Sequence, residues 1–259
     1  MCLIAFDHRP GEPFALRLVA NRDEFHARPS APLAAWSDAP DIVGGRDLEA
    51  GGSWLSVHRR GRFAAVTNVR DPGLGVPDHA PSRGELVRSA LECDDLSDWL
   101  TRLADDDARR YAGFNLLVGD GKCLWYLHRG RERVVLRQVS AGLHGLSNAE
   151  LDTPWPKLIA ARQGLAAGLH RGHWPDDALA ALGDSHEAED DRLPATGIGL
   201  ELERRLSAAF ILGEDYGTRA TTWLEWRADG HLTIGERRFG PHGAPLGARH
   251  LSLSTPSIA

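Results

Sequence analysis

The sequence has few cysteines, almost no lysine and no long apolar run, and these shortages exclude several classes of protein. Its three cysteines, Cys2, Cys93 and Cys123, are odd in number and lack C-x-x-C spacing, which argues against a disulfide framework and a zinc site. No stretch approaches the roughly 18 apolar residues of a membrane span, and the start, MCLIAFDHRP, lacks the basic region of a signal peptide. We therefore expect a cytoplasmic protein with reduced thiols and no stable membrane insertion.

Charge is not concentrated in any segment of the 259 residues, and the formal net charge is −6. Because there is no basic tract, nucleic acid is not expected as a partner. The glycine-rich stretch Gly44–Gly52 lacks the GK[ST] ending of a phosphate-binding loop, and the 12 histidines are scattered. We therefore expect a small-molecule substrate or ligand and neither a metal nor a bound cofactor, while the oligomeric state stays open.

Short β-rich runs alternate with two helical regions along the chain. The runs Cys2–Phe6 and Phe14–Ala20, separated by a turn rich in Pro and Gly, predict a hairpin. Further strands are predicted within residues 53–67, 113–139 and 218–238, and helices within 82–103 and 152–182. This order predicts an α+β fold with mostly antiparallel sheets, in one domain over residues 1–259. The segment after Gly240, rich in Pro and Gly, is expected to pack loosely.

Cys2 is a candidate nucleophile because of its position in the chain. The initiator methionine is generally removed when the next residue is small, and the mature chain would then carry an α-amine and a thiol on the same residue. The ordinary pKa values of these groups are about 7.7–8.0 and about 8.5, so the amine can accept the thiol proton. The alternative is that Cys2 is simply a small apolar residue on a buried strand, where most free cysteines lie.

Polar residues at other predicted strand ends are candidate partners of Cys2. Asn21-Arg22-Asp23-Glu24 follows the second strand of the hairpin, where Arg22 would lower the thiol pKa and Asp23 would hold the α-ammonium group. Asn68 and Asn148 could donate to a tetrahedral oxyanion, and Arg219 could bind a carboxylate or steady a catalytic amide. The alternatives are a solvated turn for the charge run, Asx turns for the two asparagines and a surface ion pair for Arg219.

Taken together, the motifs resemble those of the NRDE family, also called the transport and Golgi organisation 2 family. The similarity spans roughly residues 1–240, with one small departure, because Ser53 stands where the family often has threonine. The matching motifs, in chain order, are Met1-Cys2, Asn21-Arg22-Asp23-Glu24, Gly51-Gly52-Ser53-Trp54-Leu55, Thr67-Asn68, Ser82-Arg83-Gly84-Glu85-Leu86-Val87, Gly113-Phe114-Asn115-Leu116-Leu117, Gly145 through Asn148, Thr153-Pro154-Trp155-Pro156-Lys157 and Tyr216-Gly217-Thr218-Arg219.

This family is more distantly similar to cysteine N-terminal-nucleophile hydrolases, which implies a four-layer αββα sandwich that cleaves non-peptide amides. The likeness implies a set of site residues: Cys2 as nucleophile, Arg22 and Asp23 as its partners, Asn68 and Asn148 as oxyanion donors, and Arg219 as a second arginine. In those hydrolases the arginine and aspartate are separated, whereas here they are adjacent. Neighbours on a strand point to opposite faces, so both reach Cys2 only if the strand has ended or bulges there, and Glu24 is a substitute for Asp23.

Two functions follow from the resemblance. The first is a hydrolase in which Cys2 attacks the acyl carbon of a small amide or thioester. The second is a protein that binds haem or an acyl-lipid metabolite on the same fold without turnover. No Cys-Pro or C-x-x-C-H pattern of a haem site occurs in the sequence.

Overall fold

The computed structural model describes residues 2–258, and its strands form two antiparallel sheets. The first sheet has the strand order β10-β1-β2-β11-β12-β13. Its strands are β1 (Cys2–His8), β2 (Phe14–Phe25), β10 (Gly142–Leu146), β11 (Tyr216–Arg227), β12 (His231–Phe239) and β13 (Pro245–Ser254).

The second sheet runs through the middle of the chain and keeps its strands in sequence order from β3 to β9. Its strands are β3 (Ser30–Ala35), β4 (Ile42–Asp47), β5 (Leu55–His58), β6 (Arg62–Asn68), β7 (Phe114–Gly119), β8 (Leu124–Arg129) and β9 (Val134–Gln138). The α-helices of the described residues are α1 (Arg83–Glu92), α2 (Leu96–Arg102), α3 (Pro156–Arg171), α4 (Asp176–Leu182) and α5 (Leu200–Arg205).

Side-chain alternation along the strands creates three apolar layers. On β1, Ile4 and Phe6 pack between the two sheets, whereas Leu3 and Ala5 pack against α3 and α4 on the outer face. On β6, Ala65 belongs to the layer between the sheets, whereas its neighbours Ala64 and Val66 pack in the layer with α1 and α2. The order of layers is therefore helices, sheet, sheet, helices, which confirms the predicted αββα sandwich.

Two segments differ from the sequence-based expectation. Strand β2 does not end before the Asn21–Glu24 cluster but continues through it to Phe25, because β11 pairs along its whole length. The segment after Gly240 is not loose: β13 pairs with β12, and Leu251 and Leu253 cover the layer between the sheets. None of the helices in the described part of the chain combines the length and apolar content needed to cross a bilayer.

Candidate active site

A cleft of about 410 Å³ opens at the end of the sandwich where β1 begins and where β2, β4 and β6 end. The start of α1 closes one side of this cleft. Its lining is rich in polar and charged groups, among which are Cys2, Arg22, Asp23, Glu24, Arg28, Asp47, Ser53, Trp54, Asn68 and Arg83. Four of the six residues predicted from the sequence, Cys2, Arg22, Asp23 and Asn68, therefore line one cleft.

Cys2 is half-buried at the first position of β1 and pairs across the sheet with Arg22. The Ser147 hydroxyl donates a hydrogen bond to the Cys2 carbonyl oxygen at 3.3 Å. Burial raises the pKa of the Cys2 thiol, and the positive charge of Arg22 acts in the opposite direction. Since burial is the larger effect, the thiol keeps its proton at neutral pH until a base accepts it.

Arg22 is the buried cation of the cleft, with 5% of its surface exposed. Its guanidinium carbon lies 4.2 Å from the centre of the Trp54 ring, a cation–π distance. Gly45 makes this arrangement possible, because a Cβ atom there would overlap the Trp54 ring. The Nη1 atom of Arg22 is buried and has no hydrogen-bond partner in residues 2–258. The guanidinium of this cleft residue thus has an unused N–H donor.

Strand β2 is regular at Arg22 and Asp23, so these neighbouring side chains point to opposite faces of the sheet. The β-bulge at this level lies in the neighbouring strand, β11. The register shifts between Thr218 and Ala220, which makes Arg219 the extra residue of β11. The Thr218 hydroxyl donates to the Asp23 carboxylate at 2.7 Å. Burial raises the pKa of the Asp23 carboxyl, and the Lys157 ammonium and this hydroxyl act in the opposite direction. Both Arg22 and Asp23 nevertheless line the cleft.

The two predicted asparagines occupy different places. Asn68 ends β6, and its half-buried side chain lines the cleft. Asn148 is fully buried behind it and donates to the Asn68 backbone oxygen at 2.9 Å. Arg219 is not among the residues 2–258 that line the cleft; its guanidinium donates to the backbone oxygens of Phe25 and Arg28. Arg219 therefore holds the β2–β3 connection, and its proposed contact with a substrate stays a prediction.

A buried polar network supports the segment that carries Asn148. The Asn115 amide nitrogen donates to the Ala149 oxygen at 2.9 Å and to the Thr67 hydroxyl at 3.0 Å. The Asn115 amide oxygen accepts from the Tyr126 hydroxyl at 2.9 Å and lies 2.7 Å from His128 Nδ1. A protonated Nδ1 completes the network, so the tautomer of His128 is set by Asn115.

A second group of buried charges lies on the helix side of Asp23. The Lys157 ammonium donates to the Leu206 oxygen at 2.9 Å, and burial lowers its pKa to about 8. Arg70 pairs with Glu203 at 2.9 Å, and its guanidinium carbon lies 4.7 Å from the centre of a Trp155 ring. Sequence reasoning did not select Lys157, Arg70 or Glu203 for the site, because these contacts join residues up to 133 positions apart.

Two further cleft arginines, Arg28 and Arg83, were also missed. Arg28 forms ion pairs with Asp47 at 2.7 Å and Glu49 at 2.6 Å. Arg83 is the first residue of α1, directly after the N-cap Ser82. A cation is unfavourable at a helix N-terminus, and this conflict with the helix dipole is the signal that could have identified Arg83.

The described residues contain no cluster of His, Cys, Asp and Glu side chains suited to a metal ion. No histidine of residues 2–258 lines the cleft. In the lining of the cleft, Cys2 is the side chain of a type that ligates haem iron, and it lies among carboxylates and guanidinium groups.

Comparison with known proteins agrees with the motifs and the fold. The family model for Transport and Golgi organisation 2 matches residues 1–241. The Transport and Golgi organization protein 2 homolog of Bos taurus is 38% identical over 261 residues, and that of Homo sapiens is 37% identical over 260 residues. Each alignment covers 92% of this chain and 92% of the relative.

Among solved structures, the fold is similar to that of the mutant C2A conjugated bile acid hydrolase from Clostridium perfringens. The TM-score is 0.52, with 6% sequence identity, and the match covers 96% of this chain and 92% of that chain. At this identity the likeness shows the fold alone. Together, the family model and the two relatives show that the chain belongs to the Transport and Golgi organisation 2 family.

Proposed function

We propose that the protein is an N-terminal-nucleophile hydrolase that cleaves a small non-peptide amide or thioester through an acyl-Cys2 intermediate. One observation carries this proposal: Cys2 lines a cleft together with a buried guanidinium that keeps an unpartnered Nη1 atom. The fold shared with a conjugated bile acid hydrolase, which was solved as its C2A mutant, supports the same residue as the reacting group.

The α-amine of Cys2, released by removal of Met1, serves as the base in this mechanism. Met1 lies outside the described residues, so its removal stays a prediction. Because burial raises the pKa of the Cys2 thiol, the thiol needs a proton acceptor, and the amine on the same residue is the nearest one. Asp23, whose charge acts on Cys2, orients this amine, and Lys157 favours the ionised form of Asp23.

The reaction then has two balanced steps. The Cys2 sulfur attacks the acyl carbon while its proton passes to the α-amine; the bond to the leaving group breaks, and the leaving group takes up that proton. Water next attacks the thioester, gives a proton to the amine and releases the acid, and Cys2 recovers its proton. The Asn68 amide stabilises the oxyanion in both steps, and Asn148 fixes the Asn68 backbone.

Acylation by p-nitrophenyl butyrate, followed by intact-mass analysis, tests the nucleophile. One butyryl adduct is expected on the wild-type chain and none on Cys2→Ala. The double variant Cys93→Ala/Cys123→Ala is the matched control and should label like the wild type, because both thiols lie outside the lining of the cleft. Equal labelling of Cys2→Ala and the wild type would exclude Cys2 as nucleophile, and a chain that retains Met1 would exclude the amine as base.

The alternative function, binding of haem or an acyl-lipid metabolite without turnover, makes a different prediction. A carrier should give a saturable Soret shift with haem and no release of nitrophenolate beyond one equivalent per chain.

We propose a cytoplasmic location for the hydrolase, since Cys2, Cys93 and Cys123 are all free thiols.

A further inference from the structure

We propose that Arg83, together with Arg22, forms a subsite for a carboxylate group of the substrate, next to the Cys2 sulfur. The substrate would then be an amide or thioester that carries a single negative charge near its scissile carbonyl. This inference rests on the proposed function, because it takes Cys2 as the reacting atom.

The subsite is indicated first by how the arginines of the cleft are paired. Arg28 is neutralised by two carboxylates, at 2.6 and 2.7 Å. No carboxylate in residues 2–258 lies within 4.0 Å of the guanidinium groups of Arg22 and Arg83. Arg22 is 95% buried and keeps an unpartnered Nη1, and Arg83 makes one long hydrogen bond, at 3.4 Å to the Gly113 oxygen. Two desolvated cations with spare donors favour an anionic occupant.

The position of Arg83 is rigid and energetically unfavourable without such an occupant. Arg83 begins α1, where its charge opposes the helix dipole. The neighbouring Gly84 packs so tightly on Gly52 that a Cβ atom at Gly52 would overlap the Gly84 backbone. The Ser53 N–H donates to the Gly84 oxygen at 3.1 Å. This contact fixes the start of α1 against the second sheet and keeps Arg83 in the lining of the cleft.

The surrounding charges limit the occupant to one negative charge. Glu24 also lines the cleft, and its charge acts on Arg22, Arg83 and Cys2. Asp47 and Glu49 add two more carboxylates, although both are paired with Arg28. A dianionic phosphate would be repelled by these groups, whereas a carboxylate matches the planar guanidinium and brings a single charge.

Alkylation of Cys2 by a charged and an uncharged reagent measures this subsite without knowledge of the substrate. In the Cys93→Ala/Cys123→Ala background, Cys2 is the remaining thiol, and each reagent forms the same S–C bond with loss of iodide. For Cys2, we expect the ratio of the rate constant with iodoacetate to that with iodoacetamide to be about tenfold higher than the same ratio for the glutathione thiol. In Arg83→Gln, the ratio for Cys2 should fall about tenfold. Arg88→Gln is the matched control, since Arg88 lies on the same helix and pairs with Asp38 and Glu92.

The alkylation rates distinguish a carboxylate-binding role of Arg83 from a role in ionising the Cys2 thiol. An equal loss of rate with both reagents in Arg83→Gln would overturn the inference, because that is the effect of a residue that only ionises the thiol. Glu24→Gln should change the ratio in the opposite direction, since it removes a competing negative charge. A Cys2 that reacts with neither reagent would contradict the proposed function instead.

A binding measurement then tests the subsite independently of the thiol. In Cys2→Ala protein, N-butyrylglycine should bind more tightly by calorimetry than its uncharged analogue N-butyrylglycinamide. Arg83→Gln should abolish that difference, and Arg88→Gln should leave it unchanged. Equal affinity for both compounds, or no binding of either, would overturn the proposed carboxylate subsite.

Discussion

Replacement of Asn115 by alanine should destabilise the protein strongly, although Asn115 does not line the cleft. The side chain is fully buried and connects three strands with the segment after β10. Its loss leaves the Ala149 oxygen, the Tyr126 hydroxyl proton and the His128 Nδ1 proton without their partner. Each buried group left without a hydrogen bond costs about 1–3 kcal/mol.

The three penalties do not add fully, because the cavity left by the amide is polar and can admit a water molecule. We therefore expect a loss of about 3 kcal/mol in the free energy of unfolding. For a chain of this size about 1 kcal/mol corresponds to a change in Tm of roughly 2–4 °C, so Tm should fall by roughly 6–12 °C.

Differential scanning calorimetry of Asn115→Ala measures this loss, and Asn68→Ala is the matched control. The Asn68 side chain is half-buried in the cleft, so its removal should change Tm by less than about 2 °C while it slows acylation of Cys2. If the Tm of Asn115→Ala lies within about 2 °C of the wild-type Tm, the hydrogen-bond network around Asn115 is not a source of stability. The same result in both variants would show that burial does not decide the effect.

Two further predictions concern the cleft wall and the buried lysine. Gly52→Ala should cost about 1–3 kcal/mol and should abolish the preference of Cys2 for iodoacetate, because a Cβ atom there overlaps the backbone of Gly84 and displaces the start of α1. Lys157 has a folded-state pKa of about 8, below its unfolded value, so the unfolded chain binds more protons between pH 8 and 10.5 and stability rises with pH across that window. Relative to Lys157→Met, the wild type should gain about 3 kcal/mol of unfolding free energy over that range.

Each of these predictions has its own control. Gly75→Ala has open space around the new Cβ atom and should change neither Tm nor the alkylation ratio, so an equal effect at both glycines would contradict the packing explanation. For Lys157, chemical denaturation of both proteins at pH 8 and pH 10.5 gives the difference directly. A difference that stays constant with pH would mean that the Lys157 ammonium does not titrate in that range.

The part of the site that the sequence predicted is the part built by local pairing. Cys2 and Arg22 face each other because β1 and β2 form a hairpin, which places the end of the second strand beside the beginning of the first. The direction of each side chain was harder to predict, since it depends on where β2 ends. Its continuation to Phe25 is set by β11, which follows about 190 residues later, and no local pattern in the Asn21–Glu24 cluster reports that pairing.

Long-range packing explains the remaining differences. Arg70 and Glu203 form a buried ion pair because α5 returns to the strand ends, which the sequence spacing does not indicate. The β13 strand did have a local signal, because Leu251 and Leu253 alternate with serines. The expectation of loose packing rested on the glycine and proline content after Gly240 alone.

The two proposals constrain each other through the ionisation of Cys2. Arg22 opposes the burial that raises the thiol pKa, so a carboxylate bound beside Arg22 would cancel part of this help and raise the pKa further. A preformed thiolate is therefore least available when the substrate is bound. The proton must then leave the sulfur during attack rather than before it, which requires a base within reach of the thiol. No histidine of residues 2–258 lines the cleft, and the base that we propose, the α-amine of Cys2 released by removal of Met1, is carried by the same residue as the thiol and makes both proposals compatible.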